Sequence, residues 1–190
     1  MLPKVAIIYL CYNNRSYLEE VFSSLQKLNY PKDKLEIVVV DNDSKDRSPE
    51  WLREQKGITF FPRAENLGFA EGNNLGVRHA LLHGAQYVYL LNGDAKLHPD
   101  AIMEAVKLAE SDRTIGSVQS RIMLWKQPDV VNVTGGMVHF LGFGFARDNG
   151  RSWEEIKNTS PLAKGGSGGV LSEIAYASGA AVLYRASVLQ

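Results

Sequence analysis

Asp41-Asn42-Asp43-Ser44-Lys45-Asp46 concentrates carboxylates directly behind an apolar run. A carboxylate fixed there can accept hydrogen bonds from a base or a ribose and so give a binding site direction. A polar turn that caps the next helix would use the same residue types. Asn92-Gly93-Asp94 follows another apolar run, Tyr87 to Leu91. Glycine permits a tight turn, and a carboxylate at the end of a rigid strand can hold a hard divalent cation. Mg2+ takes only one or two protein carboxylates and fills its other positions with water and phosphate oxygens, so Asp94 with a diphosphate is chemically sufficient. An ordinary Asn-Gly-Asp turn is the bland alternative. Asn66-Leu67-Gly68-Phe69-Ala70-Glu71-Gly72-Asn73-Asn74-Leu75-Gly76 carries glycines through a stretch that otherwise reads as helix. Each weakens a helix by about 1 kcal/mol, which points to backbone that approaches a ligand closely. Asn66 and Asn73 are suited to hold neighbouring loops through their amides. The glycine spacing matches neither the dinucleotide fingerprint nor a Walker loop.

These residues need elements to position them. Val5 to Leu10 and Leu35 to Val40 are continuous apolar, β-rich runs, which read as strands buried on both faces. Ile58 to Phe61 and Tyr87 to Leu91 read as further strands. Between them lie helical patterns. Ser16 with Glu19 forms a capping-box pattern, followed by Leu18, Val21, Phe22, Leu25 and Leu28 at helical spacing and a stop at Asn29-Tyr30-Pro31. Ser48-Pro49-Glu50 reads as an N-cap with proline in the first turn. Gly68 to His83 is a third helix, and Pro99 opens a fourth. Such strand–helix alternation predicts a mainly parallel sheet with helices on both faces, with ligands outside the carboxyl ends of the strands. Tyr12-Asn13, Asp41 to Ser44 and Asn92 to Asp94 all follow strands. Beyond about Gly116 short strand-like pieces replace the alternation: Val118 to Leu124, Val130 to Thr134 and Met137 to Leu141. Gly142 to Gly169 is glycine-rich and polar and reads as a long mobile loop. Ile174 to Arg185 returns to a strand or strand pair.

The bulk composition excludes several classes. The 190 residues fit one domain. Lys plus Arg equals Asp plus Glu at 21 each, which argues against a nucleic-acid partner. Val5 to Leu10 is too short for a signal h-region, and no stretch is long enough for a transmembrane segment. Cys11 is the sole cysteine, so no internal disulfide can form, and it reads as a small buried thiol. His79, His83, His98 and His139 lack ligand spacing. Trp51, Trp125 and Trp153 read as packing residues, with Trp153 also able to stack on a sugar ring.

Taken in order, strand–Tyr12-Asn13, Val-Val-Asp41-Asn42-x-Ser44-x-Asp46, the Asn66 to Asn74 segment, Leu-Leu-Asn92-x-Asp94 and Ser178-Gly179-Ala180-Ala181-Val182-Leu183 resemble family 2 glycosyltransferases. The likeness is greatest to the rhamnosyltransferase-like branch that builds cell-surface polysaccharide. The resemblance implies an α/β, Rossmann-like GT-A fold. Residues 1–115 would be the nucleotide-sugar-binding half, and residues 116–190 the start of an acceptor-side half of the same domain. Tyr12, Asn13, Asp41, Asn66 and Asn92 would hold the nucleotide. Asp94 would ligate Mg2+ or Mn2+. Ser178, Gly179 and Ala180 would line the donor sugar or acceptor side. The partners implied are a nucleotide-diphosphate sugar donor and a saccharide or lipid-linked saccharide acceptor. The place implied is the cytoplasm, including the inner membrane face. The reaction would be a single displacement with inversion. Its general base would lie past Gln190, so the sequence is expected to be the N-terminal part of a longer enzyme, and no catalytic residue is assigned. A sugar nucleotidyltransferase and a non-catalytic nucleotide-sugar-binding domain are the competing readings. The former would carry a glycine- and lysine/arginine-rich loop where Leu10-Cys11-Tyr12-Asn13-Asn14 stands.

Overall fold

The computed structural model describes residues 1–157 and 173–189. The chain divides into two compact units, Met1–Val118 with Gly179–Gln190, and Gln119–Ser178. The first unit begins with β1 (Val5–Cys11), buried at every position. It continues through α1 (Arg15–Gln26), β2 (Leu35–Asp41), α2 (Ser48–Arg53), β3 (Thr59–Pro62), α3 (Gly68–Leu82), β4 (Tyr87–Asn92) and α4 (Ala101–Ser111). The sheet runs β3-β2-β1-β4-β10-β5, where β5 is Ser117–Gln119 and β10 is Ala181–Arg185. β3, β2, β1 and β4 are parallel, and β10 lies antiparallel beside β4. The last residues of the chain thus return to the sheet of the first unit. The continuous apolar runs are explained by this geometry, because a central parallel strand is covered on both faces.

Alternation along β1 sends its side chains to opposite faces. Ile8 and Leu10 meet α3, while Tyr9 meets Phe22 of α1 edge-on at 5.7 Å between ring centres. The glycines of α3 have a different role from the one their sequence suggests. A Cβ at Gly76 would lie 2.5 Å from Cγ2 of Ile8, and one at Gly72 2.7 Å from Cδ1 of Leu10. They let the helix settle closely onto β1. Gly68 does open the helix in a left-handed conformation, with φ of 75°.

The helix starts also differ from their sequence signals. α1 begins at Arg15, so Ser16 lies inside the helix and forms no capping box. Its first amide is taken instead by Asp46, whose Oδ2 accepts from Arg15 N at 2.8 Å. Ser48 is the first residue of α2, behind Arg47 at φ 67°. A carboxylate from a neighbouring loop can satisfy a helix N-terminus as well as a local cap can.

The second unit holds β6 (Ile122–Leu124) paired with β7 (Gln127–Val133), and β8 (Gly136–Val138) paired with β9 (Gly144–Ala146), both antiparallel. α5 (Trp153–Lys157) follows. Residues 142–157 are therefore not the structureless loop that their glycines predict. Ile156 is buried, and the Arg121 guanidinium sits 3.5 Å over the Trp153 ring, so this part has the apolar anchors its composition hides. The guanidinium covers one face of the Trp153 ring. The remainder of the expected loop, including Lys164 to Gly169, lies outside the described residues. Of Ile174 to Arg185 only Ala181–Arg185 is strand. The preceding segment touches the sheet edge of β8 through a bridge between Gly136 and Tyr176.

Candidate functional site

Register brings the chemistry-bearing loops to one edge. Cys11 pairs with Asp41, and Leu10 with Asn92, so β1, β2 and β4 all end at the same level. The loops beyond them are stitched together by side chains. Asn13, held at φ 54°, takes the Ser44 hydroxyl as acceptor for its amide at 2.8 Å, and its own Oδ1 accepts from Lys45 N at 2.8 Å. Asp46 accepts from Arg15 N, Ser48 N and Ser48 Oγ. Burial works against its charge, but these hydrogen bonds outweigh it and hold its carboxyl below the ordinary value.

Asp41 is 1% exposed. Its Oδ2 accepts from Ser44 N at 3.2 Å, whereas Oδ1 is buried with no hydrogen-bond partner. Among the described residues this state is shared only by Nε2 of Gln119. Such an acceptor is costly to leave unmade and marks a place for a donor. Next to it Asn42 is fully engaged. Its Nδ2 donates to Asn66 Oδ1 at 2.7 Å and to Gly68 O at 3.1 Å, and its Oδ1 accepts from Leu67 N at 2.8 Å. The loop that opens α3 is thus fastened to the end of β2. Asn66 Oδ1 is spent on this latch and on Gly68 N. Among the described residues Asn73 reaches no neighbouring loop; its amide donates to Phe69 O in its own helix.

At the end of β4, Asn92 N donates to Ala180 O at 3.1 Å, which carries Ala180 to this edge, and Asn92 O accepts from Ala95 N to close the turn. Gly93 is required by close approach, since a Cβ there would fall 2.1 Å from Asn14 Oδ1. Asp94 is exposed and has no hydrogen bond or ion pair among the described residues. Tyr12 is half exposed at the end of β1, and Phe69, at the start of α3, lies against Gly179. The first unit therefore gathers Tyr12, Asn13, Asp41, Asn66, Asn92, Asp94, Gly179 and Ala180. Ser178 belongs to the second unit, where its amide donates to Gln119 Oε1 at 2.7 Å.

Sequence reasoning missed Tyr9 and Asn14, and it named Asp46 in a motif without its part in holding the start of α1. Tyr9 is hidden inside an apolar run, and its hydroxyl donates to Gly93 O at 2.7 Å. Burial pushes this phenol well above its ordinary pKa, so it stays a donor. Asn14 Oδ1 accepts from Tyr12 N at 2.9 Å. Cys11 is buried as expected, and burial pushes its thiol up to about 11, which leaves it unreactive. Among the described residues no group of three or more His, Cys, Asp or Glu is arranged to hold a metal ion. A cation at this edge would rest on Asp94 and on oxygens of its ligand, a donor set that suits Mg2+ or Mn2+ beside a diphosphate. No helix among the described residues is long and apolar enough to cross a membrane.

Comparison with known proteins bears on the family and the fold. The chain is 27% identical over 120 residues to the poly-beta-1,6-N-acetyl-D-glucosamine synthase of Staphylococcus aureus, covering 62% of this chain and 28% of the synthase. It is 36% identical over 126 residues to the dolichol-phosphate mannosyltransferase of Pyrococcus furiosus, covering 60% and 33%. The chain thus spans about a third of the length of these relatives. Among solved structures, the mannosyltransferase PcManGT of Pyrobaculum calidifontis, in complex with GDP-Man and Mn2+, superposes with a TM-score of 0.59 at 31% identity, over 65% of this chain and 36% of that one. S. aureus TarS 1-349 shares the fold over 98% of this chain and 48% of its own, with a TM-score of 0.58 at 19% identity. The description "Glycosyl transferase family 2" matches residues 6–189. With its mostly parallel sheet, its flanking helices and its GT-A structural neighbours, the chain belongs to glycosyl transferase family 2.

Proposed function

We propose that this chain forms the donor-binding part of an inverting glycosyltransferase, which moves a sugar from a nucleoside diphosphate to an acceptor hydroxyl. The observation that carries this reading is the unpartnered Oδ1 of Asp41, buried at the carboxyl edge of the sheet. A base N–H or a ribose hydroxyl would satisfy it, and a hydrogen bond to a charged group contributes about 1.5–3 kcal/mol. Tyr12 and Asn13 lie in the loop beside Asp41 and complete the nucleoside side. Asn66 helps from one remove, by holding the loop latched to Asn42.

Asp94 and Asn92 form the diphosphate end. Asp94 is the metal ligand in this reading, and its free, exposed carboxylate fits Mg2+ or Mn2+. When bound, the cation neutralises charge on the leaving diphosphate, worth several kcal/mol of transition-state stabilisation. PcManGT, solved in complex with GDP-Man and Mn2+, supports a metal-dependent donor site of this kind. Ser178, Gly179 and Ala180 belong to the donor-sugar or acceptor side. The relatives' names specify a polysaccharide product and a dolichol phosphate, which supports a saccharide or lipid-linked saccharide acceptor. Cell-surface polysaccharide synthesis in the cytoplasm or at the inner membrane face, and the rhamnosyltransferase-like branch, belong to the same proposal and rest on the motif resemblance.

The test is selective. Asp41→Ala is expected to weaken free nucleoside diphosphate and complete sugar donor equally, by about tenfold to a hundredfold, the worth of one charge-assisted hydrogen bond. If only the complete donor lost affinity, Asp41 would face the sugar and the assignment would be wrong.

A further inference from the structure

We infer that Tyr9 is a positioning residue for the Asn92-Gly93-Asp94 turn: its hydroxyl, reaching up from inside the sheet to the Gly93 carbonyl, aims Asp94. The inference rests on the reading above, in which Asp94 holds the cation.

Tyr9 occupies a position in β1 where the strand otherwise places aliphatic side chains, and it is fully buried. Burying a hydroxyl is unfavourable unless it finds a partner. Its partner is the Gly93 carbonyl, 84 residues away in sequence, at 2.7 Å. That oxygen and the amide nitrogen of Asp94 belong to one planar peptide unit. Fixing the oxygen therefore fixes the plane from which the Asp94 Cα departs, and so the point from which its side chain starts. The space where a Cβ would stand at Gly93 is closed by Asn14, whose Oδ1 would lie 2.1 Å away, and by the Leu10 carbonyl at 2.9 Å. The turn is in contact with both the Tyr9 hydroxyl and the Asn14 amide side chain. Tyr9 is itself held. Its ring meets Phe22 edge-on, and Phe22 meets Trp51 edge-on at 5.0 Å, so α1 and α2 both brace the strand residue that braces the turn. An aliphatic residue at position 9 could fill the volume but could not hold the carbonyl.

Tyr9→Phe keeps the ring and its packing and removes only the hydrogen bond. The experiment measures, for wild type, Tyr9→Phe, Gly93→Ala and Asp94→Ala, the affinity for UDP and GDP without metal, and the affinity of the nucleotide-loaded protein for Mn2+, read from the electron paramagnetic resonance signal of free Mn2+. Loss of one hydrogen bond of about 1 kcal/mol corresponds to about fivefold. Tyr9→Phe is expected to lose about that factor in Mn2+ affinity while its metal-free nucleotide affinity stays within about twofold of wild type, well under the effect of one hydrogen bond. Gly93→Ala should lose at least as much Mn2+ affinity. If Tyr9→Phe keeps wild-type Mn2+ affinity while Asp94→Ala loses it, the inference about Tyr9 falls, whatever Gly93→Ala does, and the metal assignment stands. An equal loss of metal-free nucleotide affinity in Tyr9→Phe would show general loosening and overturn the inference. If Asp94→Ala also keeps wild-type Mn2+ affinity, or wild type takes up no Mn2+, the metal assignment fails and takes the inference with it.

Discussion

Single side chains at the carboxyl edge divide between two tasks, and Asp41 and Asn42 show the division. Asp41 keeps a buried oxygen unpaired, whereas Asn42 has its amide fully spent on residues 66–68. An unpaired buried acceptor calls for a donor, which the proposed ligand would supply; a satisfied amide holds its own loop in place. The two should respond differently to nearly isosteric changes. Asn42→Asp replaces a double donor with a carboxylate facing Asn66 Oδ1 and Gly68 O. Leaving such groups unmatched costs about 1–3 kcal/mol, and more when charged. Urea unfolding should show a loss of about 3 kcal/mol for this variant, and an unchanged midpoint would mean that the latch contributes nothing to stability.

Elements supply the next level, and here glycine gives a test that magnitudes decide. Replacing glycine by alanine within a helix is intrinsically favourable by about 1 kcal/mol. At Gly76 the new Cβ would meet a branched methyl of Ile8, fully buried and stiff, at 2.5 Å. Overpacking of that kind costs about 1–3 kcal/mol, so Gly76→Ala should be destabilising. At Gly72 the obstacle is the far end of Leu10, which can turn aside, so Gly72→Ala should be near neutral. Equal effects in thermal melts would contradict this account of how α3 sits on β1. The opposite end of the sheet carries a pH dependence. Burial raises the Glu36 carboxyl, but His79 and Lys4, at 2.8 and 3.2 Å, outweigh it and hold it below its ordinary 4.5. A depressed carboxylate stabilises the fold above its unfolded value, and the gain is lost as pH falls through the folded value. Glu36→Gln should therefore reduce stability at neutral pH and flatten its decline in acid, as followed by melts between neutral pH and about pH 3, below the carboxylate range. The strands and helices of the first unit were legible because a covered parallel strand must be an unbroken apolar run, as Val5 to Leu10 is, and an exposed helix must alternate, as Leu18 to Leu25 does. What was illegible depends on partners distant in sequence. Nothing near Ser16 announces that Asp46 caps α1, nothing near Gly76 announces Ile8, and Tyr9 in its run looks like one more core residue. At the site, the strand ends picked out Asp41 and Asp94, but the bracing behind them could not be read without the packing.

At the scale of the whole molecule, the first unit brings separate strand ends to one edge, and the proposal is that this edge takes a nucleoside diphosphate with a divalent cation. The family assignment and the one-edge register of β1, β2 and β4 both bear on that claim. The direct measurement is isothermal titration calorimetry of UDP, GDP, dTDP, ADP and CDP into the wild-type chain, with and without Mn2+, repeated on Asp94→Ala. The account predicts that at least one nucleoside diphosphate binds, that Mn2+ tightens it by tenfold or more, about 1.4 kcal/mol, and that Asp94→Ala abolishes this tightening while leaving the metal-free affinity in place. Binding that ignores Mn2+, or a metal effect that survives in Asp94→Ala, would contradict it.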